Sequence, residues 1–134
     1  MEHKVLIIED DPATSRLVEY SLRHDGFQVV RAANGLEGIR MARSETPDLV
    51  ILDVMLPGLD GYEICHRLKA DAATARLPIL MFSAKAQEID RNTGLKVGAD
   101  EYLTKPAAPA DIVNTVRKLL AKRDLTAPAR KDPV

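Results

Sequence analysis

Short apolar runs alternate with longer amphipathic stretches along most of the chain. "KVLII" (4–8), "FQVVR" (27–31), "DLVIL" (48–52), "PILMF" (78–82) and "EYL" (101–103) have the length of strands. Three of them are nearly continuous in apolar and β-branched residues, the pattern of strands covered on both faces. Between them lie stretches with helical spacing. Residues 12–24 place Ala13, Leu17 and Ser21 on one side, 35–44 place Leu36 and Ile39, and 60–70 place Ile64 and Leu68. Residues 86–97 carry Ile89, Thr93 and Val97, and 109–122 carry the clearest stripe, Ile112, Val113, Val116, Leu119 and Leu120. Gly26, Asn34-Gly35, Thr46-Pro47, Pro57-Gly58 and Gly98 punctuate the joins. Five repeats of strand then helix predict an α/β fold, a doubly wound five-stranded parallel sheet. Each crossover is right-handed and must cover the sheet.

Open sheets of this kind bind ligands beyond the carboxyl ends of their strands. Glu9-Asp10-Asp11 follow the first strand, Asp53 the third, Ser83-Ala84 the fourth and Thr104-Lys105-Pro106 the fifth. Glu9, Asp10 and Asp53 form an acid cluster without His or Cys, hard oxygen ligands of the kind that suit Mg²⁺, or Mn²⁺ in its place. A divalent cation also answers the repulsion between neighbouring carboxylates. Lys105 adds a positive charge able to pair with a carboxylate or with a phosphoryl oxygen. A carboxylate beside a metal and a lysine can act as a phosphoryl acceptor. Asp11 precedes Pro12, which suits a first helical turn, and reads as the N-cap of the first helix, with metal contact the alternative. Asp60 reads in the same way as the cap of the third helix.

Length, charge and cysteine count narrow this only a little. A chain of 134 residues fits one domain, and its net charge of -1 gives no reason to expect direct nucleic-acid or membrane binding. One cysteine, Cys65, excludes an internal disulfide and reads as a half-buried structural thiol. His3, His24 and His66 read as surface residues. The apolar runs are too short to span a bilayer, so a soluble, cytoplasmic protein is expected.

The residues "LIIEDDP", "LVILDVMLPGLDGYE", "PILMFSA" and "GADEYLTKP" resemble the receiver domain of two-component response regulators, the CheY-like family. The resemblance runs from about Lys4 to about Lys122. It implies a flavodoxin/CheY-like (βα)5 sheet of strand order 2-1-3-4-5, with the receiver at 1–123; the polar end with two prolines and no apolar periodicity reads as a flexible tail or truncated linker at 124–134. It implies that Asp53 is the phospho-acceptor, that Asp10 ligates Mg²⁺ directly, and that Glu9 holds the ion through water. Asp53 and the backbone carbonyl of Met55 complete the metal ligands. Ser83 fills the position whose hydroxyl moves to the phosphoryl group, Lys105 the lysine position, and Pro106 the position of a cis peptide bond. Tyr102 falls on the aromatic position that turns inward on phosphorylation, while Lys85 and Met55 tune hydrolysis of the acyl phosphate.

The implied donor is a sensor histidine kinase or phosphotransfer protein. The implied output is a downstream protein bound at the face of helix 86–97, strand 101–103 and helix 109–122. Such a switch catalyses only its own Mg²⁺-dependent phosphorylation and dephosphorylation. Arg91, Asp100, Glu101 and Arg117 partly resemble a charged pattern used for phosphorylation-promoted homodimers. Ala107 and Ala108 depart from the family's usual aromatic and capping residues, which leaves the last helix a weaker start. A phosphatase of the haloacid dehalogenase type would want a second acid where Met55 stands. A flavodoxin-like phosphate binder would not put acids after its first strand. The alternative to a free-standing switch is a receiver fragment of a larger regulator with a C-terminal DNA-binding or enzymatic domain.

Overall fold

A computed structural model describes residues 2–126. The elements run β1 (Lys4–Ile8), α1 (Pro12–His24), β2 (Gln28–Ala32), α2 (Gly35–Ser44), β3 (Leu49–Leu52), α3 (Gly61–Ala70), β4 (Ile79–Ser83), α4 (Glu88–Lys96), β5 (Glu101–Thr104) and α5 (Pro109–Thr126). The strands form one parallel sheet in the order β2-β1-β3-β4-β5. Ile8 lies opposite Leu52 and Ala32, Leu52 opposite Met81, and Ser83 opposite Thr104. That register brings the residues after β1, β3, β4 and β5 to one rim.

Alternate residues of the central strands feed two cores, as the period-2 geometry of a strand requires. Val5, Ile7, Leu49, Ile51, Leu80 and Phe82 meet Val18 and Leu22 of α1 and the stripe of α5. Leu6, Ile8, Val50, Leu52, Ile79 and Met81 meet α3 and Tyr102 on the other face. Both faces are covered, which is why these strands read as unbroken apolar runs.

The inward faces of three helices differ from the expectation. On α1 the buried residues are Ser15, Val18, Ser21 and Leu22, and Leu17 is exposed. Val18 and Leu22 fill the space over Val5 and Ile7, so the packed stripe lies one position beyond Ala13–Leu17–Ser21. On α2 Leu36 is exposed, and Gly35, Gly38 and Ala42 are buried. A Cβ at Gly38 would meet the Ile8 side chain at 2.5–3.0 Å, so α2 lies on β1 through small residues rather than through a leucine. Helix α4 starts at Glu88 instead of residue 86, without a side-chain cap; Ile89 is exposed and Gly94 is the buried position.

Cys65 is fully buried, not half-buried, and burial pushes its thiol up to about 11. Helix α5 continues past 122 to Thr126. Arg123, within that added turn, reaches the Asp48 carbonyl and carboxylate at 3.1 and 3.2 Å. The part of the expected tail at 127–134 lies outside the described residues. No helix among the described residues is long and apolar enough to cross a membrane.

Candidate functional site

The chain leaves β1 at Glu9, whose N–H donates to the Ala32 carbonyl at 3.1 Å, and leaves β3 at Asp53, whose N–H donates to the Ile8 carbonyl at 3.1 Å. These bonds extend the sheet ladder by one residue and set the two carboxylates side by side. Both are buried, whereas Asp10 is exposed. One carboxylate oxygen from each of Glu9, Asp10 and Asp53 lies within 4.8 Å of the others. Lys105, just past β5, places its Nζ 2.7 Å from Glu9 Oε1 and 3.4 Å from Asp53 Oδ2. The second Glu9 oxygen accepts the Asp11 N–H at 3.2 Å, and Asp53 Oδ1 accepts the Met55 N–H at 3.1 Å. The Lys105–Pro106 peptide bond is cis.

Two buried acids facing one lysine leave net negative charge at this rim. Burial pushes the Glu9 carboxyl up and the Asp53 charge adds to that, against the downward pull of the Lys105 hydrogen bond. Burial draws the Lys105 ammonium down, but Glu9 and Asp53 outweigh it and hold the ammonium above its ordinary value. All-oxygen donors gathered this closely, with one acid open to solvent, fit a hard divalent cation that keeps several waters. A cleft of about 440 Å³ lined by Asp10, Ser15, Arg31 and Glu37 opens beside the acids.

The Ser83 side chain is fully buried, and its Oγ accepts the Lys85 N–H at 3.2 Å. The Ser83 carbonyl accepts the Lys105 N–H at 2.8 Å, tying the two loops together. Tyr102 is turned inward, 2 % exposed, and its hydroxyl donates to the Lys85 carbonyl at 2.8 Å. The Met55 side chain points to solvent. His24 and His66 are exposed and the His3 ring lies tilted 6.4 Å from that of Phe27, all away from the acids.

Asp11 stands apart from the acid cluster. Its Oδ2 accepts the Thr14 N–H at 3.1 Å and the Thr14 hydroxyl at 2.5 Å, capping α1. Those bonds hold its carboxyl below the ordinary value. A depressed carboxylate stabilises the fold above its unfolded value of 3.8, and that contribution fades as pH falls through the lower folded value. Asp11→Ala is therefore expected to lower Tm by a few degrees at neutral pH. The gap to the native chain should close in acid, and thermal melts across pH 2 to 7 measure it.

Arg117 does not join the Arg91, Asp100 and Glu101 face. It pairs with Asp25 and stacks over the Phe27 ring at 5.4 Å, on the α1 side. Asp100 is likewise engaged, accepting the Ile79 N–H at 2.8 Å and pairing with Lys69 at 3.3 Å. Gly61 is a site residue that sequence reasoning passed over. Its N–H donates to the Val54 carbonyl at 2.9 Å. A Cβ there would run into the Asp53 carbonyl oxygen and lie 2.6 Å from Val54 Cα. The glycine after Asp60 lets α3 rest against the backbone of Asp53; only its place after a capping residue could have hinted at this.

Residues 5–117 match the family profile described as response regulator receiver domain. The chain is 40% identical over 129 residues to the alkaline phosphatase synthesis transcriptional regulatory protein PhoP of Bacillus subtilis, covering 96% of this chain and 53% of that protein. It thus spans about half the length of the curated relatives it matches. A CheY-like receiver domain protein from Methanospirillum hungatei superposes with TM-score 0.87 at 25% identity, over 93% of this chain and 98% of that one. The receiver domain of sensor histidine kinase PA1611 from Pseudomonas aeruginosa, solved with a magnesium ion coordinated in its active site cleft, gives TM-score 0.83 at 30% identity, over 90% and 99%.

Proposed function

The chain belongs to the response regulator receiver family of two-component signalling, and from that premise we propose that it is a switch phosphorylated on Asp53. The observation that carries this reading is the buried Asp53 carboxylate, set between two further acids and paired with Lys105. Glu9, Asp10, Asp53 and the Met55 backbone carbonyl would hold Mg²⁺, or Mn²⁺, which supplies charge to offset the carboxylates and the oxygens of a transferring phosphoryl group. Asp53 Oδ forms the new bond to phosphorus as the bond from phosphorus to the donor's imidazole nitrogen breaks. Lys105 then pairs with a phosphoryl oxygen and the Ser83 hydroxyl donates to another. The chain catalyses this phosphorylation and the later dephosphorylation, in which water takes the phosphoryl group from Asp53 as inorganic phosphate, and no other reaction is proposed for it.

The donor is a sensor histidine kinase or phosphotransfer protein in the cytoplasm. The output is a downstream protein that reads the α4-β5-α5 face. Moving a mostly inactive population to a mostly active one takes about 3–5 kcal/mol, the scale of a few charge-assisted hydrogen bonds. A phosphorylation-promoted homodimer through that face would rely on Arg91 and Glu101, since Arg117 and Asp100 bond within the chain. The receiver is assigned to 1–126, three residues beyond the expected boundary because α5 runs on to Thr126, and the remainder to a tail or linker. Relatives about twice as long favour a linker to an effector domain.

Incubation with radiolabelled acetyl phosphate tests the reading. Incorporation that is labile to base and lost when the divalent cation is chelated is the expected result. An absence of incorporation with Mg²⁺ present would overturn it.

A further inference from the structure

Helix α4 touches the sheet through a glycine. Gly94 is its only buried residue. A Cβ at this position would lie 2.7 Å from Met81 Sδ and 3.0 and 3.2 Å from two carbons of the Tyr102 ring. The Met81 side chain can swing, but the ring is held at both ends. Its backbone sits in β5 opposite Met81 of β4, and its hydroxyl donates to the Lys85 carbonyl. Both neighbours are among the most deeply buried side chains of this core. A methyl group at 94 must therefore lift α4 or displace the ring, because a close-packed interior has no slack to absorb it.

Lys85 makes this more than a packing detail. Its carbonyl accepts from Tyr102, while its N–H donates to Ser83 Oγ. One residue thus links the ring beneath α4 to the hydroxyl at the rim. We infer that Gly94 is a positioning residue for Ser83: it gives Tyr102 room to lie inward, and Tyr102 through Lys85 holds the Ser83 loop in place. The inference deepens the phospho-acceptor reading and rests on it for its effect on rate. It also commits to a link between Tyr102, Lys85 and Ser83 that is read without any phosphoryl transfer.

The test compares Gly94→Ala, Tyr102→Phe and the double variant. Tyr102→Phe keeps the ring and removes only the hydroxyl, with its bond to the Lys85 carbonyl and its side-chain interactions with Ser83 and Tyr62, so it is the gentler probe and remains informative if Gly94→Ala folds poorly. Two readouts are taken: the Lys85 amide resonance in the unphosphorylated protein, and the rate of labelling by acetyl phosphate with Mg²⁺. Each single variant is expected to shift the Lys85 amide and to change the labelling rate by about threefold or more. The double variant should match Tyr102→Phe on both readouts, although Tm falls further. Equal, additive effects of Gly94→Ala in both backgrounds would assign it a merely structural role and overturn the inference. So would an unmoved Lys85 amide in Tyr102→Phe. Failure of the native chain to label at all would instead strike the phospho-acceptor reading, with the amide shift still deciding the geometry.

Discussion

Asp53→Asn is expected to abolish phosphoryl incorporation while leaving the fold intact. The amide has no anionic oxygen to attack phosphorus, so the loss should be complete rather than graded. The fold survives because an amide oxygen can still accept the Met55 N–H that Asp53 Oδ1 accepts at 3.1 Å. Stability should hold or rise, since the substitution removes one of two buried acids that repel across the rim. Labelling with acetyl phosphate and a thermal melt, run on the same sample, check both halves. Incorporation at the native level would remove Asp53 from its role.

Lys105→Met should have the second-largest effect, and on three quantities in different directions. The ammonium faces both buried acids, 2.7 Å from Glu9 and 3.4 Å from Asp53. Removing it leaves two carboxylates without their cation, which costs about 3 kcal/mol of stability in the metal-free protein. It also takes away a group placed to meet charge on the transferring phosphoryl group, slowing labelling about 100-fold. Affinity for Mg²⁺ should rise, by about tenfold, because the lysine no longer competes with the ion for the same oxygens. Chemical melts with and without Mg²⁺, labelling rates and a metal titration separate the three. The pH dependence has a definite sign. Lys105 has its ammonium raised on folding, so it stabilises the native chain fully below 10.5 and loses that contribution as pH rises through the higher folded value. The Met variant should lack that alkaline decline.

The strand–helix alternation was legible because both sheet faces are covered, which forces unbroken apolar runs such as Leu49–Leu52. Rim residues were legible for a similar reason: in a parallel sheet of this order, whatever follows each strand lands at the same edge. Helix faces were less so. Apolar spacing pointed to Leu17, Leu36 and Ile89, but all three are exposed; α1 packs through the neighbouring Val18 and Leu22, and α2 and α4 make their close contacts through Gly38 and Gly94. Small residues carry no hydrophobic signal, yet they decide how near a helix can approach a strand. The same blindness hid Gly61 behind Asp53. Arg117 looked like a partner for Arg91 and Glu101 in sequence, and only the packing of α5 on α1 turns it towards Asp25 and Phe27.

Among the three acids after β1, Asp11 separates from the others by its hydrogen bonds to Thr14, and Glu9 and Asp10 remain with Asp53. That division makes the central claim direct to test. Borohydride reduces an aspartyl phosphate to homoserine, so reduction of the acetyl-phosphate-treated protein followed by peptide mapping locates the acceptor. Homoserine at position 53, and none at 10 or 11, is the expected result. A reduced residue at any other carboxylate, or none in a protein shown to carry label, would contradict it.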